Sequence, residues 1–396
     1  MKTALATSLL FLIQTSSTFS QNSPDFERIA HQIISEVAKV QPGEVVLIRG
    51  ATESLEIVEE LVAATFIAGG HAIPTIDFPD ARIKIAQESP MDYLLQERKA
   101  DLALLESLDV IIDATPGFTS RVMNLDIPME RRIAAQDGRA SYYEAVENSS
   151  HRQIYLGQSS GVPSLAFTQD MEMDFEEFED IFWKSVAVPE EELKLIGEGI
   201  ADYMTPGSRV HLSGPNGTDI SFTLSSEPLW LNTGQIPGTG ESGPEEILVP
   251  AGEFAACVDP TSANGVIYAP RYGWRFQNIV GLTLTFENGI ITDMSAESGG
   301  EMLEDFLETL EEPSRALSMI NIGLNRESKV IPDSRYRSWE MGGVITVFTG
   351  DNTQSGCGHV ADFRLHPHIE GLTLTVDDQA IVVEGKIGTD LFFEKK

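Results

Sequence analysis

The hydrophobic period of this chain changes once, near residue 205, and that change constrains the fold more than any single motif. Upstream, short apolar runs alternate with segments of helical spacing. Ser23-Pro24 reads as the cap of a first helix in which Phe26, Ile29, Ala30, Ile33, Ile34 and Val37 recur on one face, ending before Pro42-Gly43. Val45 to Ile48 reads as a strand, Leu55 to Ile67 as a helix, Ala72 to Phe78 as a strand, Met91 to Glu106 as a polar helix, Asp109 to Asp113 as a strand, and about Asn124 to Gln136 as a helix. Strands alternating with helices predict right-handed crossovers and a parallel sheet. Met171 to Tyr203 is acidic and helical, and Thr205-Pro206-Gly207-Ser208 breaks it. Beyond that point the period is two, with strands expected at Val210 to Leu212, Asp219 to Leu224, Glu253 to Val258, Gly265 to Ala269, Leu282 to Glu287, Gly343 to Thr349 and Leu372 to Val376, and one helix at Glu301 to Glu311. The expected fold is α/β: an N-terminal parallel-sheet domain over 21–204, then a mainly antiparallel, β-rich domain over 205–396.

Residues 1–20 follow neither pattern. Lys2, the apolar run Ala4 to Ile13 and the small residues Thr18 and Ser20 predict a signal peptide cleaved near Ser20, and hence export. The run is too short for a permanent membrane span. Acidic residues outnumber basic ones 61 to 27, for a net charge of -34. A polyanion of this size repels nucleic acid and anionic membrane, so both are excluded as partners. No Gly-x-Gly-x-x-Gly follows the first strand, where the chain reads Arg49-Gly50-Ala51-Thr52-Glu53. The turn Ala114-Thr115-Pro116-Gly117-Phe118 offers no phosphate loop, and no nucleophile motif for a Ser/His/Asp site is visible.

An ordered series of short motifs runs through the second half: Gly217-Thr218-Asp219-Ile220, Val249-Pro250-Ala251-Gly252-Glu253, Gly323-Leu324-Asn325, Gly350-Asp351-Asn352 and His366-Pro367-His368. In this order the chain resembles the aminopeptidase T family of metallopeptidases from about residue 24 to its end. The resemblance implies removal of N-terminal residues from peptides at a two-metal centre, a small peptide or related substrate, and a homodimer. Two adjacent divalent ions clamp a carbonyl and generate hydroxide, which takes about five or six carboxylate and imidazole ligands. The matching positions keep part of that set. Glu253 stands at the first glutamate and His366 at the family histidine, while His368 replaces an aspartate. Met319 stands at the second glutamate, where a thioether is a poor zinc or cobalt ligand, Thr346 stands at another histidine, and Thr353 lies near the family tyrosine.

The surviving metal ligands expected from the resemblance are therefore Glu253, His366 and His368. His366 and His368 are two apart on an expected strand and so share a face, with Pro367 between them suiting an edge or bend. One carboxylate and two imidazoles suit a catalytic zinc with an open position, or a mononuclear iron(II) as in the related 2,5-dihydroxypyridine dioxygenase. Three functions stay open: a metal-dependent hydrolase using zinc or cobalt, an iron-dependent ring-cleaving oxygenase, and a binding protein on the same fold. His359, Asp362 and Asp351 are alternative ligands, each read first as a loop or turn residue. Cys257 and Cys357 both map near this site, as a disulfide, a thiolate ligand or two inert buried thiols.

Overall fold

The computed structural model describes residues 24–117, 127–157, 160–226, 229–235, 245–274 and 277–388. The expected signal peptide lies outside them, and so does most of the start of the helix expected from Asn124; its described part runs Met129–Asp137. The first helix, Phe26–Gln32, is capped by Asp25, whose carboxylate accepts the Arg28 N–H at 3.1 Å, and it ends in one π-type turn over Ile33–Val37. Among the described residues no helix is long and apolar enough to cross a membrane.

Three sheets organise the chain. The first is parallel, in the order β2 (His71–Asp77), β1 (Val45–Ala51), β3 (Val110–Ala114), β4 (Arg152–Leu156) and β8 (Glu245–Val249). One of its faces is mainly apolar: Val46, Ile48, Val110, Ile112, Ile154 and Ile247 are buried against the helices around Ile29, Leu61 and Phe182. The second sheet has eight strands. In order they are β12 (Ile290–Ser295), β11 (Gln277–Glu287), β10 (Asn264–Trp274), β6 (Asp219–Thr223), β5 (Arg209–Ser213), β17 (Thr373–Val376), β18 (Gln379–Val383) and β19 (Lys386–Ile387). The third runs β15 (Arg364–Leu365), β14 (Ile345–Gly350), β13 (Leu317–Gly323), β9 (Glu253–Cys257) and β7 (Trp230–Asn232), with β16 (His368–Ile369) also paired to β14. The second and third sheets share one core. Leu212, Phe222, Ile267 and Leu284 on one side meet Phe254, Ile320, Ile322 and Val347 on the other, which is sandwich packing.

The fold is thus the expected α/β layout, a parallel sheet followed by antiparallel β structure. The division at residue 204 marks the change of period, but it does not separate the sheets, because β8 crosses it to become the fifth parallel strand. The acidic segment after Met171 forms two helices, Phe175–Val186 and Glu190–Ala201, separated at Pro189. The segment Asn325–Val344 crosses between the two layers as a strap. Its Ile331, Tyr336, Met341 and Val344 pack with the core of the parallel sheet, and its Trp339 packs with the third sheet.

Candidate functional site

The third sheet turns one face into the sandwich core; the other face carries the polar and aromatic groups. Strand register fixes its layout. His368 pairs with Thr346, Thr346 with Asn321, Asn321 with Ala255, and Ala255 with Trp230, in one row across five strands. Along the strands, Met319, Phe348 and Cys257 lie to one side of this row, and Glu253, Gly323 and Asn232 to the other.

His366 and His368 come together, with ring centroids 5.9 Å apart. Pro367 interrupts the ladder between β15 and β16, as expected for a bend. The His366 ring stacks on Phe348 at 5.8 Å and meets the edge of Trp339 at 5.4 Å, while His368 lies 6.0 Å from Trp339. Thr346 Oγ1 and His368 Nδ1 are 2.7 Å apart. Among the described residues the buried His366 Nδ1 has no hydrogen-bond partner. Burial first, and Arg364 second, pulls the His366 pKa down to about 4. Burial, then His366, then Arg337 holds His368 well below its ordinary value. Both imidazoles are therefore neutral at neutral pH, and each resists taking up a proton while keeping a lone pair.

Glu253 does not join them. It is fully buried, but β13 and β14 lie between its strand and β16. Three strand spacings put the two backbones about 14 Å apart, too far for a carboxylate and an imidazole to share one ion. Its neighbour across the ladder is Gly323, where an added Cβ would stand 2.0 Å from the Met341 carbonyl oxygen; the strap closes directly over this end of the row. Among the described residues no group of three or more His, Cys, Asp and Glu is placed to hold a metal ion. The three-ligand set Glu253, His366 and His368 is thus reduced to the two imidazoles. Among the described residues, the side chains do not assemble a two-metal centre or a two-His, one-carboxylate centre.

The remaining expected residues have other roles. Met319 packs with Ala255, Cys257, Phe348 and Cys357. His359 Nε2 lies 2.7 Å from the Pro313 carbonyl, Asp351 Oδ1 accepts from the Thr353 hydroxyl at 2.9 Å, and Asp362 is exposed. Cys257 and Cys357 form a disulfide with Cα atoms 5.9 Å apart, so neither is a thiolate ligand. Trp339 and Asn321 went unread in the sequence, although both belong to the site. Asn321 donates from Nδ2 to the Trp339 carbonyl at 2.8 Å and so ties the strap to the sheet. A lone amide inside the apolar strand Leu317–Gly323 was the available signal. Trp339 sits in irregular chain, where no period marks it.

The neutral histidines make stability depend on pH. Their pKa values are lower in the folded than in the unfolded chain, where the ordinary value is 6.5. The unfolded chain therefore binds more protons as pH falls from about 6.5 to about 4, and the stabilisation present above that window is lost within it. Each histidine contributes at most about 1.4 kcal/mol per pH unit. The melting temperature should fall more steeply across this window in the native protein than in a His366→Gln variant; parallel curves would refute the assignment.

Comparison with known proteins adds a lineage to this geometry. Residues 22–332 match the family described as thermophilic metalloprotease (M29). Aminopeptidase PepS of Streptococcus thermophilus is 24% identical over 358 residues, covering 78% of this chain and 77% of that protein. Aminopeptidase AmpS of Bacillus subtilis is 33% identical over 99 residues, a local match spanning 23% of its length. Among solved structures, wild-type AmpT from Thermus thermophilus superposes with a TM-score of 0.62 at 14% identity, covering 92% of this chain and 98% of that one. The 2,5-dihydroxypyridine dioxygenase from Pseudomonas putida KT2440 superposes at 0.54, also at 14% identity, covering 91% and 96%. At such identities the structures share the fold.

Proposed function

Because the chain belongs to the thermophilic metalloprotease (M29) family, we propose that it is a hydrolase acting at the amino-terminal end of small peptides or on a related amide. The observation that supports the reading best is the pair of neutral imidazoles, His366 and His368, kept together under Trp339 on the face of the third sheet that turns away from the sandwich core. A neutral imidazole in such a place offers a lone pair that orients a reacting group, while burial keeps it a weak base at neutral pH. Thr346 holds the His368 ring by its Nδ1, and Asn321 holds the strap that carries Trp339. Family membership implies a divalent metal, zinc or cobalt in our proposal. The described side chains offer it two imidazoles and no third donor, and no step is assigned to it.

A second reading, a protein that binds peptides without cleaving them, is favoured by one observation: two strands stand between Glu253 and the histidines. The ring-cleaving oxygenase rests on fold likeness alone and has no such support. An exported location is supported by the disulfide, which persists in oxidising compartments.

Release of a chromophore from aminoacyl nitroanilides, with zinc, cobalt, iron(II) or chelator added, separates these readings. The hydrolase predicts turnover reduced at least about 100-fold by His366→Ala, the scale on which misplacing a reacting group slows an enzyme. No turnover with any metal, together with saturable peptide binding by calorimetry, would replace it with the binding protein. Oxygen uptake on a dihydroxylated pyridine with iron(II) would replace it with the oxygenase.

A further inference from the structure

Strands of a parallel sheet are ordinarily apolar on both faces, since helices cover both. The second face of this sheet changes character halfway along. In its first half Leu47 and Ile111 are buried with Leu105 and Leu108. One step further, the register sets Thr75, Arg49, Asp113 and Tyr155 side by side on β2, β1, β3 and β4. Gln153 and Glu246 face the same way on β4 and β8, paired across the ladder. Gln153 and Glu246 sit two residues nearer the amino ends, level with Ile111 and Leu47; Arg49, Asp113 and Tyr155 lie toward the carboxyl ends, where the order β2-β1-β3 reverses direction. That is the position at which open α/β sheets collect ligands.

Within this floor the side chains are aligned but not saturated. The Arg49 guanidinium lies over the Tyr142 ring at 5.6 Å and donates to its hydroxyl, while its distance to Asp113 Oδ2 is 3.8 Å, a charge contact longer than a hydrogen bond. Asp113 Oδ1 accepts from the Thr115 N–H at 3.0 Å and hydroxyl at 2.6 Å. The Tyr155 hydroxyl donates to Gln153 Oε1 at 2.8 Å; burial, then Glu246 and Asp113, push its pKa to about 12, so it keeps that proton. Gln153 is 2% exposed, and among the described residues its Nε2 has no hydrogen-bond partner. A buried amide donor left unmade costs about 1–3 kcal/mol, and a native chain that keeps one calls for a reason.

We propose that this floor is a second binding site, for a small zwitterion of the free α-amino acid class. The Gln153 amide and the Arg49 guanidinium are donors for its carboxylate. Glu246, exposed on the neighbouring strand, and Asp113 are acceptors for its ammonium. Gln153 and Glu246 stand on strands about 5 Å apart, a separation that suits the two ends of an amino acid. The site lies on a different sheet from the histidine pair and does not depend on the hydrolase reading.

Titration calorimetry of the full chain with glycine, L-leucine and L-lysine tests it, with acetate and ethylamine as half-ligands. Saturable binding with a Kd of about 1 mM or tighter is expected for at least one amino acid. It should weaken at least about tenfold, or 1.4 kcal/mol, in both Gln153→Leu and Arg49→Ala and stay unchanged in His366→Ala. Gln153→Leu keeps the volume and removes the unmet donor, so its melting temperature should equal or exceed that of the native chain. Absence of saturable binding by any amino acid, binding unaltered in Gln153→Leu, acetate or ethylamine binding as tightly as the amino acid, or a strongly destabilised Gln153→Leu would each overturn the proposal.

Discussion

Reducing the Cys257–Cys357 disulfide is expected to lower the unfolding free energy by about 4 kcal/mol. The two cysteines are 100 residues apart in sequence, so the bond closes a long loop in the unfolded chain and removes much of its freedom. The thiols left behind are small and apolar enough to stay where they are, since Cys257 and Cys357 are 3% and 5% exposed among Ala255, Met319 and Phe348. The loss should therefore come mainly from the unfolded state, not from native packing. A local effect should accompany it. The bond pins the turn after β14 to β9, and Phe348 of the same cluster stacks on His366. Guanidinium unfolding with and without a phosphine reductant, alongside a Cys257→Ala, Cys357→Ala double variant, measures the change. A midpoint that neither treatment moves would remove the disulfide from the list of stabilising features.

Asn325→Leu should cost a similar amount, roughly 4 kcal/mol, by a different route. Asn325 is fully buried at the point where three segments meet. Its Nδ2 donates to the carbonyls of Ser185 at 3.0 Å and Ala251 at 2.8 Å, and its Oδ1 accepts the N–H groups of Glu327 at 3.1 Å and Ser328 at 3.2 Å. Leucine keeps the volume and strands those partners in an environment that water does not reach. Asn325→Asp keeps the two accepted bonds but turns a carboxylate oxygen on two carbonyl oxygens in a buried place, so it should cost at least as much as leucine. Thermal melts give the order directly, and a leucine variant as stable as the native chain would contradict it. Gly323-Leu324-Asn325 thus owes its place to architecture: the glycine lets the strap pass, and the asparagine knots it to the helix end and to the link between β8 and β9.

Local patterns were legible where a single period governs a segment. The helix Leu55–Ile67 follows its apolar spacing to the residue, and the β-rich half announces itself by alternation. β4 escaped because Gln153 and Tyr155 break the apolar run a buried parallel strand should show, and β8 because nothing in its five residues says which sheet it joins. The site followed the same rule. His366 and His368 could be paired from their spacing of two, which is a local property. The place of Glu253 depends on the lateral order β9-β13-β14-β16, set by pairings such as Gly323 with Glu253 and Thr346 with His368 that no local pattern announces. A strand can be read from its own residues, whereas its neighbours cannot.

The passage from β8 into β9 takes only Pro250, Ala251 and Gly252, so one uninterrupted length of chain is stitched into two sheets. Shortening the protein at residue 204 would strip the parallel layer of its border and leave the rim of β4 bare, an invitation to stick to other molecules.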